Sequence, residues 1–221
     1  MEKLKKMKTY IIDFHGTLVK DYDMEYKFYQ EIFANKSVKI KAELFLRLVG
    51  MYIHKKKDDL SEIYNVFEDC LNTLNLKEDE VEKCMNNSAG KFSVPEDVDH
   101  TLKNLENKII ISRGIENLIK IALKDYKISI YGNLLERVNS WKIRRDIMKA
   151  SDKLKKLKEI CKKEDLGKLI VLGNGNSDIE ILKYADVPVV TYNAPKQIKK
   201  MVMEKNGLIL KKGKFDKMLD L

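Results

Sequence analysis

Apolar positions in this chain follow two alternating rhythms. Short, almost unbroken apolar runs at residues 9–14, 108–112, 127–131, 169–173, 187–192 and 208–210 read as β-strands. They are followed by apolar residues three and four apart, the spacing of an amphipathic helix. Strands that alternate with helices need crossover connections, so the pattern predicts a parallel α/β sheet. The first strand stands apart from the rest. After Phe14 the spacing is helical almost throughout until Lys108: Phe28, Ile32 and Phe33 share one face, and Leu44, Leu46, Leu48 and Val49 make a denser run. Leu60, Ile63, Val66, Phe67, Leu71 and Leu74 form another helical stripe. Residues 21–85 therefore predict an all-helical insertion of about four helices. The loop at 86–95, with Gly90 and Pro95, is the expected return path, and a helix at 96–107 resumes the core. The expected division is a core of residues 1–20 and 95–221 carrying a helical unit of residues 21–94.

Composition narrows the class. The chain has 221 residues, 44% hydrophobic and 35% charged, which excludes a disordered or low-complexity protein and leaves room for one large domain or one domain with an insertion. The formal net charge is +9. The basic runs at 3–8, 55–57 and 153–158 alternate with apolar positions or sit at expected element ends, as solvated helix faces do. Without aromatic interleaving or zinc spacing, nucleic acid is not an expected partner, whereas an anionic small substrate would benefit from the positive field. Cys70, Cys84 and Cys161 are odd in number and lack ligand partners at close spacing, which suits free thiols in a reducing cytosol. Asp13 interrupts the first apolar residues, and Arg47 lies inside the longest apolar neighbourhood, 44–53. Neither a signal peptide nor a membrane span is expected, and a cytoplasmic location is.

Candidate chemistry collects at the ends of the predicted strands, where ligands bind a parallel sheet. The first strand runs into Asp13-Phe14-His15-Gly16-Thr17. Alternation along a strand lets Asp13 and His15 point the same way, although an acid there also serves as a simple turn former. Ile109-Ile110-Ile111-Ser112-Arg113-Gly114 precedes a helix at 115–123, so Ser112 is either an ordinary N-cap or a phosphate seat. The run from Val171 to Asp178 places two glycines and small polar residues after a strand, which lets a metal or phosphate approach the backbone closely. Upstream, Lys153 opens an amphipathic helix through Leu157 and Ile160 to Cys161.

In this order, strand-DxxxT, strand-Ser, Lys-helix and strand-GxGxxD resemble the haloacid dehalogenase-like (HAD) superfamily, and within it the phosphoserine phosphatase-like branch. The resemblance covers residues 8–20 and 95–221, and the helical segment stands where that branch inserts its cap. It implies a Rossmann-like parallel sheet flanked by helices and a Mg²⁺-dependent phosphatase acting on a small phosphorylated substrate through an aspartyl-phosphate. Carried over by position, Asp13 is the nucleophile. Ser112 is the hydroxyl that holds the phosphoryl oxygens, with Thr17, Arg113 and Gly114 beside it. Lys153 is the neutralising cation, with Lys149 and Lys155 as alternatives. Asp178 is the acid that supports Mg²⁺, joined by Asp13, the backbone carbonyl of His15 and Asn174.

Two positions depart from the family pattern. Where the family usually has an aspartic acid/base, this chain has His15. An imidazole of pKa about 6.5 can do both jobs, although a nearby Mg²⁺ disfavours its charged form. Where the family has a metal-binding acid, this chain has Asn174, whose amide oxygen coordinates Mg²⁺ without bringing charge. The alternative to a phosphatase is therefore a catalytically degenerate protein that binds a phosphorylated ligand or a protein partner. Tyr22, Tyr26, Arg47 and Tyr52 are expected contributors to substrate choice, and His54 and His100 are expected to serve surface or packing roles.

Overall fold

The computed structural model of the chain describes residues 7–19, 23–34 and 60–221. The apolar run at 44–49, the basic run at 55–57, most of the run at 3–8, and Tyr22, Arg47, Tyr52 and His54 lie outside the described residues. β1 (Lys8–Ile12) is followed by α1 (Asp23–Ala34), α2 (Ser61–Thr73), α3 (Glu78–Gly90) and α4 (Glu96–Asn104). Next come β2 (Lys108–Ile115), α5 (Glu116–Ala122), β3 (Ser129–Arg137), β4 (Trp141–Arg144), α6 (Ala150–Cys161) and β5 (Lys168–Gly173). The chain ends with α7 (Ile179–Tyr184), β6 (Val187–Val190), α8 (Lys196–Glu204) and β7 (Leu208–Ile209), plus 3₁₀ turns at Asn176–Asp178 and Phe215–Asp220.

The strands form a seven-stranded sheet in the order β4-β3-β2-β1-β5-β6-β7. Neighbours are parallel except for the antiparallel β3–β4 hairpin. The chain builds outward from β1 through β4, then lays β5 against the other side of β1. In an open α/β sheet, the carboxyl ends of the strands at such a reversal are the usual ligand position.

Both faces of the central strands β1, β2 and β5 are covered, which is why they read as unbroken apolar runs. Ile12, Ile110, Ile170 and Leu172 pack on one face with Phe28, Phe67, Leu102 and Leu118. Ile11, Ile109, Ile111 and Val171 pack on the other with Leu157, Ile160, Ile181 and Val202. Each such fully buried side chain contributes about 1.5–3 kcal/mol relative to exposure. Among the described residues, no helix is long and apolar enough to cross a membrane.

The structure modifies four expectations. β2 runs to Ile115, but its register with β3 breaks between Ile111 and Ile115. Ser112 therefore lies on an irregular strand segment rather than at a helix N-terminus. β3 contains Asn133, Leu134 and Leu135, which were expected beyond its end, and it turns into the additional strand β4. In Trp141-Lys142-Ile143-Arg144, buried and exposed residues alternate, the mark of a strand covered on one face only. Finally, α3 extends to Gly90 and shortens the return loop.

The outer edge of β4 is covered by α2. Asn72 accepts the Trp141 N–H at 2.7 Å and donates to the Trp141 carbonyl at 3.0 Å, Glu68 accepts the Ile143 N–H at 2.7 Å, and the Trp141 indole donates to the Leu76 carbonyl at 2.8 Å. These contacts satisfy edge groups that would otherwise be open to pairing with another chain.

Candidate functional site

Asp13 follows directly on β1 and donates its N–H to the Leu172 carbonyl at 2.9 Å, so it stays on the line between β1 and β5. Gly16 takes a φ of +74°, a conformation that costs glycine little, and its N–H donates to the Val19 carbonyl in a tight turn. That turn brings Thr17 back to Asp13, where the Thr17 hydroxyl donates to Oδ2 at 2.8 Å. Thr17, expected at a substrate phosphate, directs its hydroxyl to the carboxylate.

Lys153 sits in the first turn of α6 on the same stripe as Leu157 and Ile160, and is 1% exposed. Its ammonium donates to Asp13 Oδ1 at 2.5 Å and to Asp178 Oδ1 at 2.7 Å. The other oxygen of Asp178 accepts the N–H groups of Asn174 and Gly175 at 2.9 and 3.0 Å. A Cβ at Gly173 would lie 2.6 Å from that of Asp178, so glycine is what lets the loop close on the acid. Burial alone would favour a neutral Lys153, but the charges of Asp13 and Asp178 outweigh it and raise its pKa. Burial and the Asp178 charge push the Asp13 carboxyl upward against the pull of Lys153 and Thr17. Lys149 and Lys155 are exposed, leaving Lys153 as the lysine at the carboxylates.

A second cluster begins at His15. Its Nε2 lies 2.7 Å from Glu25 Oε2, and its Nδ1 lies 3.3 Å from the Ser112 hydroxyl. Ser112 also accepts the Gly114 N–H at 3.0 Å, and the second oxygen of Glu25 accepts the Ile115 N–H at 3.3 Å. Phe14 meets the imidazole edge-on, with ring centroids 5.0 Å apart. Burial would lower the His15 pKa, but the charge and hydrogen bond of Glu25 raise it above the ordinary value. Burial acts the opposite way on Glu25, and His15 overrides it, lowering the Glu25 pKa. The two form a buried hydrogen-bonded pair, which is an ion pair when His15 is protonated.

The segment from Ser112 to Gly114 is fastened from behind. Asn133, fully buried, donates to the carbonyls of Arg113 and Ile147 at 2.7 and 2.9 Å and accepts the Ile147 N–H at 2.9 Å. From α2, the Tyr64 hydroxyl donates to the Arg113 carbonyl.

Asp13, Thr17, Lys153 and Asp178 thus meet in one cluster, and His15, Ser112 and Gly114 meet in another, with His15 two residues after Asp13 in the segment that follows β1. Asn174 touches the first through its backbone. Tyr26 is exposed on α1, as is His100 on α4. Among the described residues, no group of three or more His, Cys, Asp or Glu side chains is arranged to hold a metal ion.

Sequence reasoning missed Glu25 and Tyr64 and gave Asn133 no role in the site. Glu25 did leave a signal, since it shares the buried face of α1 with Tyr29 and Ile32, and a charge on an apolar stripe asks for a partner. Gly114 supplies a test of how closely this cluster is packed. A Cβ there would strike the His15 ring and come within 2.7 Å of Glu25 Oε1. Gly114→Ala is expected to displace the pair and to lower any turnover by about 10-fold or more, which steady-state kinetics on the folded variant would measure.

The family model of the haloacid dehalogenase-like hydrolases matches residues 1–205. No curated protein matches significantly. Among solved structures, a protein of unknown function from Bordetella pertussis Tohama I superposes with a TM-score of 0.74 at 8% identity, over 93% of this chain and 98% of its own. A phosphoserine phosphatase in its apo form gives 0.63 at 17% identity, over 97% of this chain and 98% of its own. A substrate-bound phosphoserine phosphatase complex gives 0.60 at 20% identity, over 93% of each chain. At these identities the likeness establishes the fold.

Proposed function

Since this chain belongs to the haloacid dehalogenase-like hydrolases, we propose that it hydrolyses a small phosphomonoester with Asp13 as the nucleophile. The observation that carries this reading is the buried Lys153 ammonium shared between Asp13 and Asp178 at the carboxyl edge of the sheet. The phosphoserine phosphatases among the structural neighbours point to the same substrate class. In this reading residues 1–20 and 95–221 form the catalytic core, and residues 21–94 form the cap.

The chemistry divides into two displacements. In the first, a carboxylate oxygen of Asp13 forms a bond to phosphorus as the ester P–O bond breaks. The leaving oxygen takes the electron pair and a proton from His15. In the second, His15 takes a proton from water, the water oxygen attacks phosphorus, and the acyl-phosphate P–O bond breaks to release phosphate and restore Asp13. Thr17 and Lys153 fix the carboxylate, and Lys153 offsets the charge that gathers on the phosphoryl oxygens. Ser112, Arg113 and Gly114 form the phosphate seat.

In this reading the oxygen donors would be the Asp13 carboxylate, the His15 carbonyl and the Asn174 amide, with Asp178 adding charge behind Asp13 through Lys153. Mg²⁺ takes one or two carboxylates plus substrate phosphate and keeps several waters, so this donor set fits a weakly held ion. When bound, Mg²⁺ would supply charge neutralisation at the phosphoryl oxygens.

The loss of a metal-binding acid at Asn174 favours a second reading, in which the same seat binds a phosphorylated ligand without turnover. Phosphate release from a panel of phosphomonoesters, with and without Mg²⁺, separates the two. Turnover supports the phosphatase. Saturable binding of the esters to a folded protein that turns none of them over supports the binding protein.

A further inference from the structure

We infer that Glu25 is the positioning residue of His15, fixing which imidazole nitrogen faces the Ser112 seat. The inference rests on the phosphatase reading for its kinetic consequences, while its structural basis stands independently.

An imidazole presents two nitrogens, and the hydrogen bond made by one decides the role left to the other. An ionised carboxylate only accepts hydrogen bonds. With Glu25 Oε2 at 2.7 Å, Nε2 therefore carries a proton whether or not the ring is charged, and Nδ1 is the nitrogen turned to the Ser112 hydroxyl. Glu25 is itself held, because its other oxygen accepts the Ile115 N–H. Phe14 bounds the ring along its edge, and the absence of a side chain at Gly114 leaves space for both partners.

The two partners come from different parts of the chain. His15 and Ser112 lie on β1 and β2 or their ends, while Glu25 lies in the first turn of α1, within the helical insertion. The oriented imidazole is consequently assembled only with α1 in place against the sheet. A buried ion pair gives little net stability over an apolar pair of the same volume. Its specific consequence here is orientation, since without Glu25 the ring is free to take either tautomer.

The test combines kinetics of the Mg²⁺-supplemented protein with ¹⁵N NMR of the His15 ring in the protein without added metal. In the wild type, Nε2 should remain protonated. In Glu25→Gln, a tautomer with bare Nε2 should become populated. That variant should lose about 10²–10⁴-fold in kcat with little change in KM, and Glu25→Asp should recover part of the loss. In a His15→Ala background, Glu25→Gln should cause no further loss, because a residue that acts through His15 has nothing left to position.

A bare Nε2 in the wild type overturns the inference. So does an unchanged kcat in Glu25→Gln, or an equal loss in the His15→Ala background. A wild type that hydrolyses no phosphomonoester removes the phosphatase reading instead, and the ring nitrogen shifts of wild type and Glu25→Gln then decide the positioning role by themselves.

Discussion

Asp13→Asn is expected to reduce phosphomonoester hydrolysis to background while leaving the fold as stable as before, or more stable. The loss of activity follows from the chemistry, since a neutral amide does not form the acyl phosphate. The stability outcome follows from the charge arrangement. Asp13 and Asp178 are two buried carboxylates that share one ammonium, and neighbouring like charges disfavour joint ionisation. An amide at position 13 removes that repulsion, lets its oxygen accept from Lys153, and leaves Lys153 paired one-to-one with Asp178. For a chain of this size, a gain of 1 kcal/mol would raise Tm by about 2–4 °C. Phosphate release and thermal unfolding of the same preparation check both parts. Full activity in Asp13→Asn would mean that another group attacks phosphorus, and a large drop in Tm would mean that the carboxylate is needed to hold Lys153.

The same two clusters show how much of the molecule was legible in the sequence. The six expected strands are present because a strand buried on both faces must be apolar at every position, as Ile109, Ile110 and Ile111 are. Asp13, Lys153 and Asp178 meet in one cluster, and Ser112 meets His15 in the other, because a parallel sheet gathers its strand ends. β4 escaped because it is four residues long and only Trp141 and Ile143 are buried. Its place depends on hydrogen bonds from Glu68, Asn72 and Leu76, which are far away in sequence. The irregular stretch at Ser112 escaped because a register break is a property of two strands together.

Lys153 and Glu25 make an instructive pair. Each stands at the first position of an i, i+4, i+7 apolar stripe: Lys153 with Leu157 and Ile160, and Glu25 with Tyr29 and Ile32. The motif that followed drew attention to the lysine, whereas an acid in the first turn of a helix looks like an ordinary complement to the helix dipole. Only packing shows that both charges point inward, each to its own site cluster.

The Glu25 contact changes what His15→Asp should do. By family pattern alone, aspartate at position 15 restores the usual acid/base. In this structure it would instead leave Glu25 without its cationic partner, 6% exposed and facing a second carboxylate. Removing one member of a buried ion pair typically costs about 3–5 kcal/mol. At about 2–4 °C per kcal/mol, the single variant should melt roughly 6–20 °C below the wild type, and it should turn over more slowly because its acid/base is no longer held. Adding Glu25→Gln removes the repulsion and should return most of the lost stability. Adding Asn174→Asp to that double variant supplies the missing anion to the metal donors, so the triple variant is the one expected to show family-like, Mg²⁺-dependent hydrolysis. Thermal melts and phosphate release across the series measure both effects. A single His15→Asp variant that matches the wild type in Tm and exceeds it in rate would show that Glu25 does not constrain position 15. The expected order ties the two departures from the family pattern to a third residue, because the histidine at position 15 and the buried glutamate at position 25 are hydrogen-bonded to each other.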